Sequence, residues 1–437
     1  MPTSHPIRLR PIWQICLLLG LLLTANGLAA QPRADLPNRV FVPLVTKAEP
    51  TIALGVDFGL ALGDADLLAQ DLPVAQTMGA RWSRVWISWA SVEPATGVFR
   101  WDAYDAIFKR HAEMNIKLLP VLYEPPSWAA PQGCGPISDT VALEGFVAAA
   151  IERYGSAVDA WEFVNEPDGK APLPAYGPAV GCWGGQPAQY ARQLGLFAKV
   201  IRARDPGALV LFGGLAYDSW AIFERSFLDR ALKAGAGASF DGVSLHYYPI
   251  NPAEFPTPAH KVREIRAIME ENGVFGKRIW ITETGMWSNG PGGIEAQRNF
   301  IAQDLSRALC AGVDTILWFA VRQDEGANPP LWRWLIDTEH RPAQAYATYQ
   351  YMARTLEGAR CVGAVAGLPP DVEAYRFSAP GRTAFVLWAN RPTNVTLAAD
   401  AATLTTRDGT APRTVAGRNG AVTFSVSRTP IWAEVAE

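Results

Sequence analysis

Two glutamates close apolar runs in this 437-residue chain. The first stands in AWEFVNEPDG as Asn165-Glu166-Pro167, and the second in RIWITETG as Thr282-Glu283-Thr284-Gly285. Proline lacks a backbone donor and so ends a strand, which leaves Glu166 at the strand's exit. Two carboxylates aimed at one site about 5 Å apart suit retaining glycoside hydrolysis: one protonates the leaving oxygen, and the other attacks the anomeric carbon.

The neighbours of the pair carry fitting chemistry. LHYYP offers His246, Tyr247 and Tyr248, and WSRVW carries Arg84. A phenol and a guanidinium beside Glu283 would hold it ionised, as a nucleophile requires. Glu166 must instead be protonated before the first step, which needs drier, more negative surroundings that raise a carboxyl pKa. Asn165 is a candidate donor to a sugar hydroxyl, and Trp318 a candidate floor for the subsite. Arg84 also reads as a structural ion pair under the site, and His246 as a hydrogen-bonded core histidine.

The elements that must position these residues follow from the patterning. From Thr51 onward, short apolar runs alternate with amphipathic stretches of helix length, the signature of a parallel sheet with crossover helices. The runs are IALGVDFG, RWSRVWIS, IKLLPVLY, AWEFVNE, LVLFGG, GVSLHYY, RIWITET and TILWFAV. Eight such units predict an α/β fold, a (β/α)8 TIM barrel over residues 51–358, with the site at the C-terminal ends of the strands. From residue 359 to 437, strands such as VEAYRFS, TAFVLWAN, AVTFSVS and IWAEVA are separated by turn clusters, which predicts a small C-terminal β-sandwich. Residues 31–50 read as a linker or a strand contributed to that sandwich, through RVFVPLV.

Composition bounds the partners. A net charge of −3 and the lack of any Lys/Arg block give no footprint for nucleic acid. The 16 tryptophans supply flat apolar faces that suit sugar rings, although packing in the core accounts for many of them. His5, His111, His246, His260 and His340 show no metal-ligand spacing, so no metal is expected. No GxGxxG follows the first strand and no GxSxG elbow appears, which leaves dinucleotide and serine-hydrolase readings without support.

Arg8 and Arg10 precede ICLLLGLLL and then small residues, so residues 1–30 read as a secretory signal peptide. The alternative is an uncleaved anchor, and no other stable membrane span is expected. Secretion to the periplasm or outside the cell would let disulfides persist. Cys134 with Cys182 is the favoured pair, in the loops PQGCGP and VGCWGG; buried free thiols are the other reading, notably for Cys310.

Taken together these motifs resemble clan A glycoside hydrolases, most of all family 39, which joins a (β/α)8 barrel to a β-sandwich. The resemblance rests on RVWISWASVEPATGVFRWDAYD, WEFVNEPD, SLHYYP, WITETG, ILWFAV, LIDTEHRPAQAY and TPIWAEV, spread over nearly the whole mature chain. It implies Glu166 as acid/base, Glu283 as nucleophile, Asn165 on the glycone, and Arg84 beneath the nucleophile. The family's histidine-x-tyrosine pattern falls on His246 and Tyr248, with Tyr247 pointing away, and the family chemistry uses no cofactor. The sugar is not legible, because family members differ in their loops. Here those loops carry Trp128, Trp183, Trp287, Trp332 and Trp334, which suits a groove for several sugars and an endo-acting enzyme on an extracellular polysaccharide. A β-xylosidase-like or other exo-acting glycosidase is the alternative, and a non-catalytic carbohydrate-binding barrel is the reading from another class.

Overall fold

The computed structural model describes residues 51–58, 65–170, 181–217, 222–250, 252–322 and 333–436. The signal and linker segments and Trp332 lie outside them. Eight parallel strands close on themselves in sequence order: β1 (Ala53–Asp57), β2 (Trp82–Ser88), β3 (Lys117–Tyr123), β4 (Ala160–Asn165), β5 (Leu209–Leu215), β6 (Gly242–Tyr247), β7 (Arg278–Thr284) and β8 (Thr315–Phe319). Pairing of Ala53 with Thr315 through Asp57 with Phe319 seals the ring between β1 and β8.

A helix follows each strand. These are α1 (Ala65–Thr77), α2 (Asp102–Glu113), α3 (Thr140–Tyr154), α4 (Pro187–Arg204), α5 (Phe227–Lys233), α6 (Pro258–Glu271), α7 (Gly293–Cys310) and α8 (Tyr346–Leu356). Local chemistry marks their ends. Asp139 caps α3 by accepting from the Ala142 amide at 2.9 Å, and Pro258 opens α6, where a missing N–H costs nothing. Asp102 and Asp105 at the start of α2 and Arg110 at its end oppose the helix dipole.

Inside the ring the side chains form layers. Toward the N-terminal ends lies an apolar plug of Trp82, Leu119, Ala160, Leu211, Trp280 and Leu317. Trp82 and Trp280 meet edge to face with centroids 4.9 Å apart. Gly55 leaves no space for a Cβ between Trp82 and Leu317, so a larger residue would force the plug apart. Above the plug the layers turn polar.

The C-terminal part is antiparallel. β9 (Arg360–Ala364), β10 (Val372–Ala379), β11 (Arg382–Ala389), β12 (Thr393–Ala398), β13 (Ala401–Thr406), β14 (Arg413–Ala416), β15 (Ala421–Val426) and β16 (Ile431–Ala436) form two sheets. One has the order β14-β13-β16-β11-β10-β9 and the other pairs β12 with β15. Phe385, Leu387, Val395, Leu397, Leu404, Val422 and Phe424 fill a core of their own. The opposite face of the larger sheet, including Phe377, Val386 and Trp432, merges with the barrel's hydrophobic core. Arg307 on α7 bridges to Glu373 at 2.8 and 2.5 Å, and Arg298 on the same helix pairs with Asp408.

Two disulfides staple this arrangement. Cys134–Cys182 joins the loops after β3 and β4, with Cα atoms 5.8 Å apart. Cys310–Cys361 ties the end of α7 to β9 at 5.2 Å, so Cys310 is not a free thiol. No helix among the described residues is long and apolar enough to cross a membrane. The Cys310–Cys361 bridge spans 51 residues, a loop for which chain entropy sets a ceiling of about 4 kcal/mol. Replacing both cysteines by serine should therefore cost about 2–4 kcal/mol, read as a lower urea midpoint. A midpoint equal to that of the parent protein would contradict a stabilising bridge.

Candidate active site

Arg84 is the centre of the polar layer. It points inward from β2, fully buried, and each of its five N–H groups has an acceptor. Nε and Nη2 grip Glu162 at 3.1 and 3.0 Å, and Nη1 reaches Asp57 at 2.9 Å and Glu283 at 2.6 Å. Nη2 also donates to the Asn165 side-chain oxygen at 2.7 Å. Two residues nearer the mouth, Trp86 donates to Asp57 at 3.1 Å and places its ring 4.8 Å from the guanidinium carbon. Glu162 gains another donor in the Gly214 amide at 2.8 Å. Arg84 thus binds three strand carboxylates and an amide, and the carboxylates keep its proton firmly in place.

Local backbone irregularities aim the reactive groups. Along β7, Ile281 pairs with Leu245, but the next register pair is Glu283 with His246. Thr282 is the extra residue of a bulge, and the bulge turns Glu283 into the barrel where simple alternation would turn it out. On β4, Val164 and Glu166 have φ of 56° and 42°, the left-handed region that costs non-glycine residues about 1–2 kcal/mol. This twist lets the consecutive residues Asn165 and Glu166 both face the mouth.

The two glutamates meet there. One oxygen of Glu166, one of Glu283 and Nδ1 of His246 all lie within 4.8 Å of one another. Glu283 is held on both oxygens, by Arg84 and by the Tyr248 hydroxyl, which donates at 2.8 Å. Burial raises the Glu283 pKa, Arg84 opposes that rise, the nearby Asp57 charge adds to it, and the Tyr248 hydrogen bond counters it. The Tyr248 phenol is pushed well above its usual range by burial and by the Glu283 charge. Tyr248 thus stays a donor.

His246 lies between the glutamates, with Nδ1 3.0 Å from Glu166 and 3.5 Å from Glu283. Burial, then the charges of Arg84, Lys261 and Arg333, push its pKa well down, so the imidazole is neutral. Nδ1 can donate to a Glu166 carboxylate in one tautomer and accept from a protonated Glu166 in the other. Gly214 packs against the far edge of the ring, where a Cβ would collide with Nε2. Behind the ring, buried Lys261 on α6 donates to the carbonyls of Ala216 and His246. Asp168, two residues past Glu166, accepts from the Ala216 and Tyr217 amides at 3.2 and 2.9 Å. The exits of β4, β5 and β6 are thereby tied together.

The aromatic residues divide into two groups. Trp287 is half-buried beside Tyr248, with ring centroids 6.1 Å apart, and Trp128 is half-buried against Trp89. Trp183 and Trp318 lie elsewhere. Trp183 is buried against Phe163 and Tyr190, and Trp318 against Phe300 and Tyr349 of the helix layer. The next residue, Phe319, is the β8 ring that reaches the Tyr248 side, sharing with it and Trp287 the guanidinium of Arg333. Tyr247 points outward and stacks on Phe300. Glu124, at φ 49°, accepts from the Ser88 hydroxyl at 2.5 Å.

Sequence reasoning missed Asp57, Glu162, Phe319, Arg333 and Lys261. For Asp57 and Glu162 a signal existed, since a carboxylate within an apolar run has to face either a core or a partner. For Arg333, in a loop after β8, none did. By distance alone Glu166, His246 and Glu283 could hold a metal ion. Arg84 and Tyr248 already occupy the Glu283 oxygens, however, and a second cation there would face the Arg84 charge.

No protein-family model matches the chain, and no curated protein sequence does. Solved structures match its fold. A family 39 glycoside hydrolase from Bacteroides cellulosilyticus WH2 superimposes with a TM-score of 0.69 at 19% identity, covering 89% of this chain and 81% of that one. A GH30 endoxylanase from Clostridium papyrosolvens C71 gives 0.64 at 12% identity, over 89% and 96%. A monomeric β-xylosidase from Caulobacter crescentus CB15 gives 0.62 at 14%, over 88% and 96%. This chain therefore shares the architecture of glycoside hydrolases of families 39 and 30, a TIM barrel joined to a β-sandwich.

The hydrogen bond from Tyr248 makes a direct prediction. Loss of a donor to a carboxylate costs about 1.5–3 kcal/mol, so Tyr248→Phe should raise the Glu283 pKa by about 1–2 units. Infrared titration of the carboxyl band, with Glu283→Gln as blank, measures it; an unchanged midpoint would show that Tyr248 does not hold the charge.

Proposed function

We propose that this chain is a retaining glycoside hydrolase acting by double displacement, with Glu283 as nucleophile and Glu166 as acid/base. One observation carries the reading: carboxyl oxygens from β4 and β7 lie within 4.8 Å of each other. Retaining enzymes need roughly 5–5.5 Å, whereas inverting ones need about 6.5–9.5 Å to admit a water between the carboxylates.

The surroundings assign the roles. Arg84 and Tyr248 stabilise negative charge on Glu283, whose side chain is 7% exposed. Glu166 is 15% exposed, faces a neutral imidazole, and has the Glu283 carboxylate close by, which favours its protonated form. In the first step Glu166 gives its proton to the glycosidic oxygen while a Glu283 oxygen bonds the anomeric carbon and the leaving sugar departs. In the second, Glu166 takes a proton from water, the resulting hydroxide attacks the same carbon, and the ester bond to Glu283 breaks. Arg84 fixes the Asn165 oxygen, which turns the amide nitrogen into the sugar-facing donor. The glycoside hydrolases that share the fold support this chemistry.

Half-buried Trp128 and Trp287 lie on the loops after β3 and β7, opposite strands of an eight-stranded ring, and indoles so distributed support a groove for several sugars and endo action on a polysaccharide. Two disulfides support an exported protein, consistent with the basic and apolar N-terminus.

Proton NMR of the first products of hydrolysis tests the mechanism: the anomeric configuration of the substrate should be retained, and an inverted first product would sink it. Glu166→Ala should slow glycosides with poor leaving groups on the order of 100-fold or more, with far smaller losses in the bond-breaking step for activated aryl glycosides. Equal losses on both would remove Glu166 from the acid role.

A further inference from the structure

The two ring nitrogens of His246 have unlike surroundings. Nδ1 lies 3.0 Å from Glu166 and 3.5 Å from Glu283, so a proton on it faces both carboxyl groups. Nε2, on the other side of the ring, is buried and has no hydrogen-bond partner among the described residues. The Gly214 backbone covers that end: a Cβ there would collide with Nε2 and lie 2.8 and 2.9 Å from the two ring carbons beside it. A neutral imidazole carries one proton, and these surroundings decide where it sits.

The ring is held in place. Lys261 of α6 donates to the His246 carbonyl, and the Gly214 amide on β5 donates to Glu162 at 2.8 Å. The charged groups around the ring are Glu166 at the exit of β4, Glu283 on β7, Arg84 on β2, Lys261 on α6 and Arg333 after β8. Burial and the three cations oppose a second proton on the ring.

Both ends of the ring select the same tautomer. A proton on Nε2 would be an N–H buried without an acceptor, and the Nδ1 lone pair would then face carboxyl oxygens, those of ionised Glu283 among them. A proton on Nδ1 gives those oxygens a donor and leaves only a bare lone pair against Gly214. While Glu166 is protonated, the Nδ1–H faces the Glu283 carboxylate. The Glu166 hydroxyl cannot donate to a protonated Nδ1, so its proton is left for the glycosidic oxygen. Once Glu283 has become the ester to the sugar, the negative charge is on Glu166, and the same N–H holds it.

We propose that His246 keeps its proton on Nδ1 throughout the reaction and directs it to whichever of Glu166 and Glu283 is ionised. It is a positioning residue that follows the charge and exchanges no proton with either glutamate. Its part in turnover rests on the glycosidase reading above; the place of its proton does not. The competing roles are a proton relay to Glu166, which needs a bare Nδ1 at one stage, and a wedge that only fills space.

Nitrogen-15 NMR of protein labelled at histidine reads the tautomer, because protonated and bare ring nitrogens resonate far apart. The signals missing from His246→Asn or His246→Gln belong to His246. At neutral pH they should be a protonated Nδ1 and a bare Nε2; a bare Nδ1, or protons on both nitrogens, would overturn the proposal. The Nδ1–H proton should resonate far downfield, as a hydrogen bond to a carboxylate makes it. It should stay there in Glu166→Gln and in Glu283→Gln, each of which leaves one carboxylate, and move upfield when both are replaced. A downfield signal lost in either single variant would show that the N–H serves one glutamate alone, against the proposal. These spectra need no substrate, so they decide the matter even if no glycoside is cleaved and the glycosidase reading fails.

Turnover separates the competing roles. Asparagine can set its amide nitrogen near the place of Nδ1, glutamine near that of Nε2, and neither titrates. His246→Asn should keep kcat within about 10-fold of the parent enzyme, while His246→Gln and His246→Ala lose on the order of 100-fold with smaller changes in KM. Equal losses in the asparagine and glutamine variants would leave only the wedge, and a loss in His246→Asn as deep as in His246→Ala would favour the relay; either result overturns the proposal.

Discussion

The five hydrogen bonds of Arg84 are the constraint on which the rest of the site depends. A guanidinium buried without partners would be untenable, and so would Asp57, Glu162 and Glu283 without it. Their mutual satisfaction locks β1, β2, β4 and β7 at one level of the barrel. It also places Asn165 and Glu283 on two N–H forks of one rigid plane, so the relation between β4 and β7 is set by the shape of an arginine rather than by loops. Lysine could supply the charge but not the fork.

Three carboxylates around one cation leave an excess of negative charge in a dry interior. That excess makes the layer poor as a source of stability and useful as a source of chemistry. Glu283 is stabilised as an anion only by partners the protein has arranged in advance, Arg84 and Tyr248. Glu166 sits nearer solvent beside a neutral imidazole, with the Glu283 carboxylate close by. Two identical carboxyls in one site thus differ in depth and in partners.

The barrel was legible in the sequence because each strand is a short apolar run followed by a helix-length amphipathic stretch; seven strands fall within the runs read from the sequence, and β5 extends one residue past its run, to Leu215. The glutamates were legible for the same reason, since they end two of those runs. Which way individual side chains face was less so. The apolar run TILWFAV does not show its own phase: with Leu317 in the plug, Trp318 turns out into the helix layer and Phe319 turns to the mouth. Likewise the bulge at Thr282 and the left-handed turn at Val164 override the two-residue period at the positions that carry Glu283 and Glu166. These irregularities are set by tertiary contacts, and a sequence pattern has no term for them. Arg333 is hidden for a further reason: its neighbours come from β6, β7 and β8, and only closure of the barrel brings them together.

The β-sandwich has a place in this economy of positions. Its larger sheet packs on the outer side of the barrel formed by the helices after β7 and β8, where Arg298 and Arg307 of α7 pair with Asp408 and Glu373, and Tyr351 of α8 packs on Trp432. From α8, Tyr349 reaches inward to donate to the Gly55 carbonyl on β1 at 2.5 Å. The sandwich therefore braces the arc of the barrel made by β7, β8 and β1. That arc supplies Glu283, Phe319 and Asp57, and the loop that follows β8 supplies Arg333. The Glu166 side, by contrast, is braced by the Cys134–Cys182 bridge between its loops and by the contacts of Lys261 from α6. The two carboxylates are held by separate supports, so their separation depends on the groups that reach both sides: Arg84, which joins Asn165 to Glu283, and His246, whose Nδ1 lies 3.0 Å from Glu166 and 3.5 Å from Glu283.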